Sequence, residues 1–171
     1  MNDGKAIGII MTYNCSHLLE DAYSRIPKES LQGLIIVDDH SKDWEKTQSI
    51  AQRLGVPFFT HEHMGYGGNL RYGLTKAMEM GAAYMVEIHG DGQFDPLDIP
   101  KLLLPVIQGR ADFTTCSRFK DKTLTPKMPK AKLWGNALVA NIISFIIGKR
   151  IYDASCGFRA YSREALLRLN L

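Results

Sequence analysis

The chain has 171 residues, of which 45% are hydrophobic and 23% are charged, and its formal net charge is +3 at pH 7. These values are typical of a globular protein with one hydrophobic core, and so small a net charge gives no support to a nucleic-acid-binding protein. The three cysteines, Cys15, Cys116 and Cys156, lie far apart, and their odd number favours a reducing compartment over a disulfide scaffold.

Five short apolar runs predict β-strands, and the segments between them predict helices. Apolar runs with few alternating polar residues are typical of strands that are buried on both faces. The predicted strands cover residues 6–11, 34–37, 57–60, 84–88 and 113–116, and the predicted helices cover residues 16–25, 43–54, 69–80 and 97–108. Because strands and helices alternate, we expect an α/β fold with a mostly parallel sheet and helices on both faces.

Two further segments follow the last predicted strand. Residues 119–132 contain five lysines and two prolines and are predicted to form a loop. Residues 133–147 predict a helix that is apolar on almost every side, which we expect either to be buried against the sheet or to lie at a membrane surface. It is too short to span a bilayer, which needs roughly 20 residues. Since the N-terminus is not a signal peptide, we predict a cytoplasmic protein, with a peripheral position at the inner face of the membrane as the alternative.

Polar residues concentrate where the predicted strands end. In open α/β sheets, ligands bind beyond the carboxyl ends of the strands. These positions hold Tyr13-Asn14, Asp38-Asp39, residues 89–95 and Ser117-Arg118. The clustering predicts a ligand site at this edge of the sheet.

Two aspartates, Asp38 and Asp39, follow the second buried strand. A carboxylate at this point can accept hydrogen bonds from a ribose or from a base N–H. A strand that ends at Val37 points the two side chains to opposite faces, so we predict that Asp39 contacts the ligand and that Asp38 matters less. Ser41 is interpreted as a structural turn residue, and Ser41 or Asp43 can cap the following helix.

A glycine-rich segment, residues 65–73, precedes a predicted helix. Backbone N–H groups at such a helix N-terminus can bind a phosphate. The segment is neither a P-loop nor a dinucleotide fingerprint, because it lacks Gly-Lys-Ser/Thr and has Leu70 where the third glycine would stand. Arg71, one turn into the helix, either reaches a diphosphate or is a surface charge.

Residues 87–93 predict a cation site. If the strand persists, its period of two places Glu87, His89 and Asp91 on one side, where oxygen and imidazole ligands can hold a divalent cation that neutralises a leaving diphosphate. The alternative is a glycine-rich turn. Asp95 and Pro96 are typical of an N-cap and a first helical residue, so Asp95 is assigned a structural role.

Two other candidate sites have weaker support from the sequence. His61 and His63 would share one face of a strand as a metal pair, but no third ligand is evident. Cys156 has no matched base nearby and is not predicted to be a nucleophile.

Six segments in chain order carry a resemblance to a known family. They are Thr12-Tyr13-Asn14, Val37-Asp38-Asp39-His40-Ser41, residues 65–73, Asp91-Gly92-Gln93-Phe94-Asp95-Pro96, Ser117-Arg118-Phe119, and Gly157-Phe158-Arg159-Ala160-Tyr161 preceded by Asp153. Together they resemble glycosyltransferase family 2, specifically its dolichol-phosphate mannosyltransferase-like branch, over most of the chain. The third resembles N-x-G-x-G-G-A-L-R-x-G, with Asn69 for the alanine and His63 for the leading asparagine. The fourth matches D-A-D-G-Q-H-D-P from its second aspartate onward. The fifth matches G-S-R-F, with Cys116 for the glycine.

The resemblance implies a nucleotide-diphospho-sugar transferase (GT-A type) fold and a set of site residues. A nucleoside-diphosphate sugar would be bound by Thr12, Tyr13, Asn14, Asp38, Asp39, Gly68, Arg71 and Gly90. A divalent metal, Mg²⁺ or Mn²⁺, would be held by His89, Asp91 and Gln93. Catalytic roles fall to Asp91, Arg118 and Asp153, and the acceptor phosphate would be positioned by Arg118, Lys130 and Lys132. The acceptor would be a polyprenyl phosphate that attacks C1 with inversion and needs no general base.

Two departures from the family matter. His89 replaces the first metal aspartate. Imidazole is a softer ligand and removes one negative charge, so the site is expected either to bind its metal more weakly or to favour manganese. The chain also ends at Leu171, so it is expected to be a single catalytic domain, residues 1–171, that lacks the family's C-terminal part. Three alternatives stay open: transfer to a hydroxyl, for which Asp153 is the nearby carboxylate, a catalytically silent nucleotide-sugar-binding module, and a nucleotidyltransferase, which would need a basic glycine-rich loop near the N-terminus that the sequence lacks.

Overall fold

The computed structural model describes residues 4–117, 119 and 130–169, and of residues 130–132 it describes the backbone alone. The chain divides into two compact units. The first consists of Met1–Thr114 and Phe158–Leu171, and the second is Thr115–Gly157. The strands are β1 (Ala6–Thr12), β2 (Gly33–Asp38), β3 (Phe58–Thr60), β4 (Tyr84–His89), β5 (Phe113–Thr115) and β6 (Arg159–Ser162). The helices are α1 (Ser16–Ser24), α2 (Trp44–Leu54), α3 (Gly65–Glu79), α4 (Ile99–Ile107), α5 (Lys130–Ile147) and α6 (Arg163–Arg168), with short 3₁₀ turns at Lys28–Ser30 and Pro96–Asp98.

The strands form one sheet in the order β3-β2-β1-β4-β6-β5. β1 pairs in parallel with β2 and β4, and β2 pairs in parallel with β3, whereas β6 runs antiparallel to β4. Met11 of β1 is level with Val37 of β2 and with His89 of β4. The carboxyl ends of these three strands therefore meet at one edge, as expected for a mostly parallel α/β sheet.

Burial of β1 follows from its unbroken apolar sequence. All seven of its residues are buried, so the sheet is covered on both faces at this strand. On one face the core includes Ile9, Met85 and Leu74 of α3. Gly73 lets α3 approach β1 closely, because a Cβ at this position would lie 2.7 Å from the Ile9 Cγ2.

The start of α3 and two additional elements differ from the sequence prediction. α3 begins at Gly65 rather than at residue 69, so the glycine-rich segment, residues 65–73, forms about the first two and a half turns of the helix. β6 and α6 were not predicted, because β6 is short and polar at both ends and is specified by pairing with β4. The predicted N-cap at Asp95 is confirmed: its side chain accepts a hydrogen bond from the Leu97 N–H at 3.1 Å, with Pro96 as the first residue of the turn.

α5, in the second unit, exposes most of its apolar side chains. Trp134 is 79% exposed and Phe145 is 89% exposed, and Leu138, Ile142 and Ile146 are also exposed. The exposed side chains are the apolar surface on which the membrane alternative depends. Within the described ranges, no helix is both long enough and apolar enough to cross a membrane.

Candidate functional site

A cleft of about 240 Å³ lies where β1, β2 and β4 end in the first unit. Its walls come from the loops after these strands and from the first turns of α3. It is lined by Met11, Thr12, Tyr13, Cys15, Asp39, His63, Gly65, Tyr66, Asn69, His89 and Asp91. Five of the residues predicted to bind donor or metal are in this set: Thr12, Tyr13, Asp39, His89 and Asp91.

Asp38 and Asp39 have different environments. Asp38 is fully buried and accepts hydrogen bonds from the Thr12 hydroxyl at 2.8 Å and from the Ser41 N–H at 2.7 Å. The Ser41 hydroxyl also lies 2.8 Å from Asp38 Oδ2. Asp38 therefore fixes the loop after β2 and does not line the cleft, in contrast to its inclusion among the ligand-binding residues. Ser41 is part of the same structural turn.

The Asp39 carboxylate lines the cleft and has polar neighbours at both of its oxygens. The Met64 N–H donates to Asp39 Oδ1 at 2.8 Å, and His63 Nδ1 lies 2.9 Å from Oδ2. The His61 ring is farther away, with Nδ1 at 3.8 Å from Oδ1. The two histidines that suggested a metal pair therefore both face Asp39. The His63 ring also stacks on Tyr13, with ring centroids 5.2 Å apart.

A buried carboxylate, Glu87, lies next to the cleft residues Tyr66 and His89. Glu87 has no exposed surface and accepts hydrogen bonds from the Tyr66 hydroxyl, from His89 Nε2 at 3.2 Å and from the Tyr161 hydroxyl at 3.4 Å. Burial and the hydrogen bond to Glu87 raise the pKa of Tyr66 far above its usual range. Burial and the nearby charge of Glu87 raise the pKa of Tyr161 to about 12. Both phenols are therefore neutral donors at physiological pH.

The predicted cation segment ends in a turn rather than in a longer strand. β4 stops at His89, and the Gly92 N–H donates to the His89 carbonyl at 3.2 Å. Glu87 and His89 share a side, as predicted, but the position of Asp91 is set by the turn, in which its Oδ1 accepts the Gln93 N–H at 3.0 Å. Gly90 allows β4 to approach β1, since a Cβ there would lie 2.8 Å from the Thr12 Cγ2.

Other predicted site residues lie outside this cleft in the described part of the chain. Asn14 has a left-handed φ of 52° and accepts the Lys42 N–H at 2.9 Å, which ties two loops together. Gly68 packs against Met64, where a Cβ would lie 2.3 Å from the Met64 Cβ, and Arg71 is exposed on α3. Gly90 and Gln93 shape the turn beside the cleft.

The residues predicted to position the acceptor phosphate, and the catalytic candidate Asp153, belong to the second unit. Arg118 lies outside the described residues, and so do the side chains of Lys130 and Lys132, whose backbone forms the first turn of α5. Asp153 accepts the Ser155 N–H at 3.1 Å in a turn. The assignment of these residues to an acceptor stays a prediction.

Sequence reasoning missed several residues of the cleft. Tyr66 and Asn69 stood inside the glycine-rich segment, which drew attention to backbone N–H groups rather than to side chains. Cys15 also lines the cleft, and because burial raises its pKa to about 11, it remains a thiol.

The cleft contains side chains that can act as ligands of a divalent cation. His89 and Asp91 both line it, one through an imidazole and the other through a carboxylate. Across the residues that the structure describes, no group of three or more His, Cys, Asp or Glu side chains is close enough to hold a metal by itself. One or two protein ligands fit the way Mg²⁺ is commonly bound, with phosphate oxygens of the substrate and water completing the shell.

Comparison with known proteins gives the family. The pattern of glycosyl transferase family 2 matches residues 9–169. The chain is similar to a UDP-N-acetylglucosamine--dolichyl-phosphate N-acetylglucosaminyltransferase of Methanococcus voltae, with 31% identity over 176 residues that cover 92% of this chain and 69% of the relative. It is also similar to a polyprenol monophosphomannose synthase of Mycolicibacterium smegmatis, with 27% identity, covering 98% of this chain and 65% of the relative.

Solved structures support the same fold. A glucosyl-3-phosphoglycerate synthase of Mycobacterium tuberculosis, in complex with uridine-diphosphate, superposes with a TM-score of 0.70 at 19% sequence identity. The match covers 95% of this chain and 58% of that structure, so the chain spans just over half of the solved protein. The relatives and the matched pattern confirm the resemblance that the motifs indicated, and this chain belongs to glycosyl transferase family 2.

Proposed function

We propose that the chain is the donor-binding part of a metal-dependent glycosyltransferase that moves a sugar from a nucleoside-diphosphate sugar to a polyprenyl phosphate. The observation that carries the proposal is the convergence of Tyr13, Asp39, His89 and Asp91 on one cleft at the carboxyl ends of three parallel strands. In α/β sheets this edge is where ligands bind.

The nucleoside would occupy the part of the cleft between Tyr13 and Asp39. Tyr13 is 52% exposed, so its ring offers a surface on which a base can stack. The Asp39 carboxylate is an acceptor for a base N–H or a ribose hydroxyl. One solved structure of the mycobacterial synthase contains uridine-diphosphate, and another contains Mn²⁺ and uridine-diphosphate-glucose.

The metal would be held by Asp91 and His89, with Gln93 as a further oxygen ligand. When bound, a divalent cation neutralises charge on the diphosphate leaving group. Glu87 supports this arrangement, because a carboxylate that accepts the N–H of a ligating histidine fixes the orientation of its ring. Imidazole beside a single carboxylate favours Mn²⁺ over Mg²⁺.

Transfer would proceed by direct displacement at C1 of the sugar. An acceptor phosphate oxygen forms the new bond to C1 while the bond from C1 to the diphosphate oxygen breaks, and the nucleoside diphosphate leaves with the electron pair. This direct displacement inverts the configuration at C1. A lipid phosphate is already anionic at neutral pH, so no base has to remove a proton. Two relatives carry names of polyprenyl- or dolichyl-phosphate transferases, which supports this acceptor class.

The position of the acceptor would be at a membrane surface. α5 exposes Trp134, Phe145 and other apolar side chains, and the sequence beside its start is rich in lysine. Apolar side chains next to cations are typical of segments that lie on anionic bilayers. Arg118, Lys130 and Lys132 would then position the lipid phosphate, and the protein would be peripheral at the cytoplasmic face.

A thermal-shift panel of nucleotide sugars, with and without Mn²⁺, tests the donor site. We expect at least one nucleotide sugar to raise the melting temperature, and to raise it further with Mn²⁺. If no uridine or guanosine nucleotide sugar raises the melting temperature, the proposal is refuted. A transfer assay with polyprenyl phosphate and the matching polyprenol then separates the acceptor classes, since transfer to the alcohol alone would favour a hydroxyl acceptor and a role for Asp153.

Asp39→Ala tests the nucleoside part of the site independently of the metal. We expect it to weaken binding of the nucleotide both with and without Mn²⁺, because Asp39 is assigned to the nucleoside and not to the cation. Asp38→Asn is not a suitable comparison, since Asp38 is buried in a structural network. A complex in which Asp38 contacts the nucleoside and Asp39 does not would contradict the assignment.

A further inference from the structure

Asp39 lines the cleft but has little exposed surface. Its side chain is only 4% exposed, because the Met64 N–H and the rings of His61 and His63 surround it. A base N–H cannot reach this carboxylate unless one of these neighbours moves. The proposed nucleoside site therefore contains a group that has to be displaced.

His63 is the neighbour that is able to move. Its side chain is 56% exposed, and the ring is held by Tyr13 on one face and by Asp39 at Nδ1. His61, in contrast, is only 8% exposed, and its Nε2 lies 2.9 Å from the Asn69 Oδ1. A swing of the His63 side chain into solvent leaves the rest of the site in place.

His63 makes the two interactions that a bound base would make. Its ring stacks on Tyr13 with centroids 5.2 Å apart and rings inclined by 29°. Its Nδ1 faces two acceptors, Asp39 Oδ2 at 2.9 Å and the Asp39 carbonyl at 3.1 Å, so this nitrogen carries the hydrogen and donates it. A uracil or guanine bound as proposed above would stack on the same ring and donate a ring N–H to the same carboxylate.

The two rings leave no room for both partners. A base sandwiched between Tyr13 and His63 needs their rings roughly 7 Å apart, twice the contact distance of about 3.5 Å between stacked carbon atoms. The observed 5.2 Å is too short for that arrangement. A base therefore cannot insert between the two rings, and to stack on this face of Tyr13 and donate to Asp39 Oδ2 it has to replace His63.

We propose that His63 occupies the nucleobase position of the donor site and is displaced when the nucleotide binds. This inference rests on the proposed function, because it requires a nucleotide in the cleft. A competing side chain lowers the apparent affinity, because the apparent association constant is the intrinsic constant multiplied by the fraction of molecules in which the site is accessible. His63 is thus a residue that sets the affinity for the nucleoside without contacting the sugar or the metal.

Calorimetric titration of the wild type and of His63→Ala tests the competition. The probes are UDP, GDP and inorganic pyrophosphate, each with Mn²⁺. For whichever nucleotide the wild type binds, we expect His63→Ala to bind it roughly three- to tenfold more tightly, the range that one hydrogen bond to a carboxylate allows at a partly exposed site. Pyrophosphate has no base, so its affinity stays unchanged. His17→Ala, on the exposed surface of α1, is the matched control and changes neither affinity.

The outcomes separate this inference from the proposed function. If the wild type binds a nucleotide and His63→Ala binds it equally or more weakly, the competition is refuted and the donor site stands. An equal gain for pyrophosphate would show a charge effect and would also refute it. If neither protein binds UDP or GDP, the proposed function fails and the inference fails with it. Nuclear magnetic resonance of the His63 ring, assigned with the alanine variant, gives a second readout: its signal must shift when the nucleotide binds.

Discussion

Tyr66→Phe removes one hydroxyl from the hydrogen-bond network around Glu87. The Tyr66 ring is 48% exposed, but its hydroxyl donates to a carboxylate that has no exposed surface. Hydrogen bonds to charged groups contribute about 1.5–3 kcal/mol to stability. Since His89 and Tyr161 still donate to Glu87 in the variant, we expect a loss near the middle of that range, about 2 kcal/mol in the free energy of unfolding.

Urea or thermal unfolding followed by circular dichroism measures this loss. For a chain of this length, about 2 kcal/mol corresponds to a fall of roughly 4–8 °C in the melting temperature. Tyr23→Phe is the matched control: its hydroxyl forms no hydrogen bond with any described residue, and its ring keeps the contact with Lys28 Nζ at 4.3 Å from the centroid. We expect the control to change the stability by less than about 0.5 kcal/mol.

A double-mutant cycle identifies the partner. In a Glu87→Gln background, the cost of Tyr66→Phe is expected to shrink, because the charged acceptor is gone, and the coupling energy is expected to exceed about 0.5 kcal/mol. Additive effects, or a Tyr66→Phe variant as stable as Tyr23→Phe, would refute the conclusion that the hydrogen bond from Tyr66 to Glu87 stabilises the fold.

Three other predictions follow from the structure. Asp91→Asn weakens Mn²⁺-dependent UDP binding by at least a factor of ten, about 1.4 kcal/mol, whereas Asp95→Asn leaves this binding nearly intact because asparagine also caps helices. Equal losses in titrations of the two variants would show that the metal-binding role of Asp91 and the capping role of Asp95 are assigned wrongly. The free energy of unfolding falls as the pH rises from about 10 to about 12, because the raised pKa of Tyr161 lets the folded state keep a proton that the unfolded state has lost. Denaturation at a series of pH values, with tyrosinate absorbance as a second readout, measures this fall, and Tyr161→Phe should reduce it. The protein cosediments with anionic liposomes at low salt and less at high salt, and Phe145→Ser reduces this binding; a protein that stays in the supernatant at low salt has no membrane surface of its own.

The layered fold and the sheet edge that carries the cleft could be predicted from the amino-acid sequence. Continuous apolar runs specify strands that are buried on both faces, and capping at Asp95 is a local interaction between neighbouring residues. The buried strands and the helix cap can therefore be predicted without the structure. The period of two in β4 also placed Glu87 and His89 on one side. The separation of Asp38 from Asp39 follows from the same alternation at the end of β2.

Which side chains meet in and beside the cleft depends on packing between distant segments and could not be predicted from the sequence. The partners of Glu87 lie 21 residues before it in Tyr66 and 74 residues after it in Tyr161, and they meet because α3 begins at Gly65 and β6 pairs antiparallel with β4. The contact between His63 and Asp39 likewise depends on the entry of the chain into α3. Local periodicity encodes which face a residue takes, but the register of distant strands and the start of a helix depend on packing across the whole sheet.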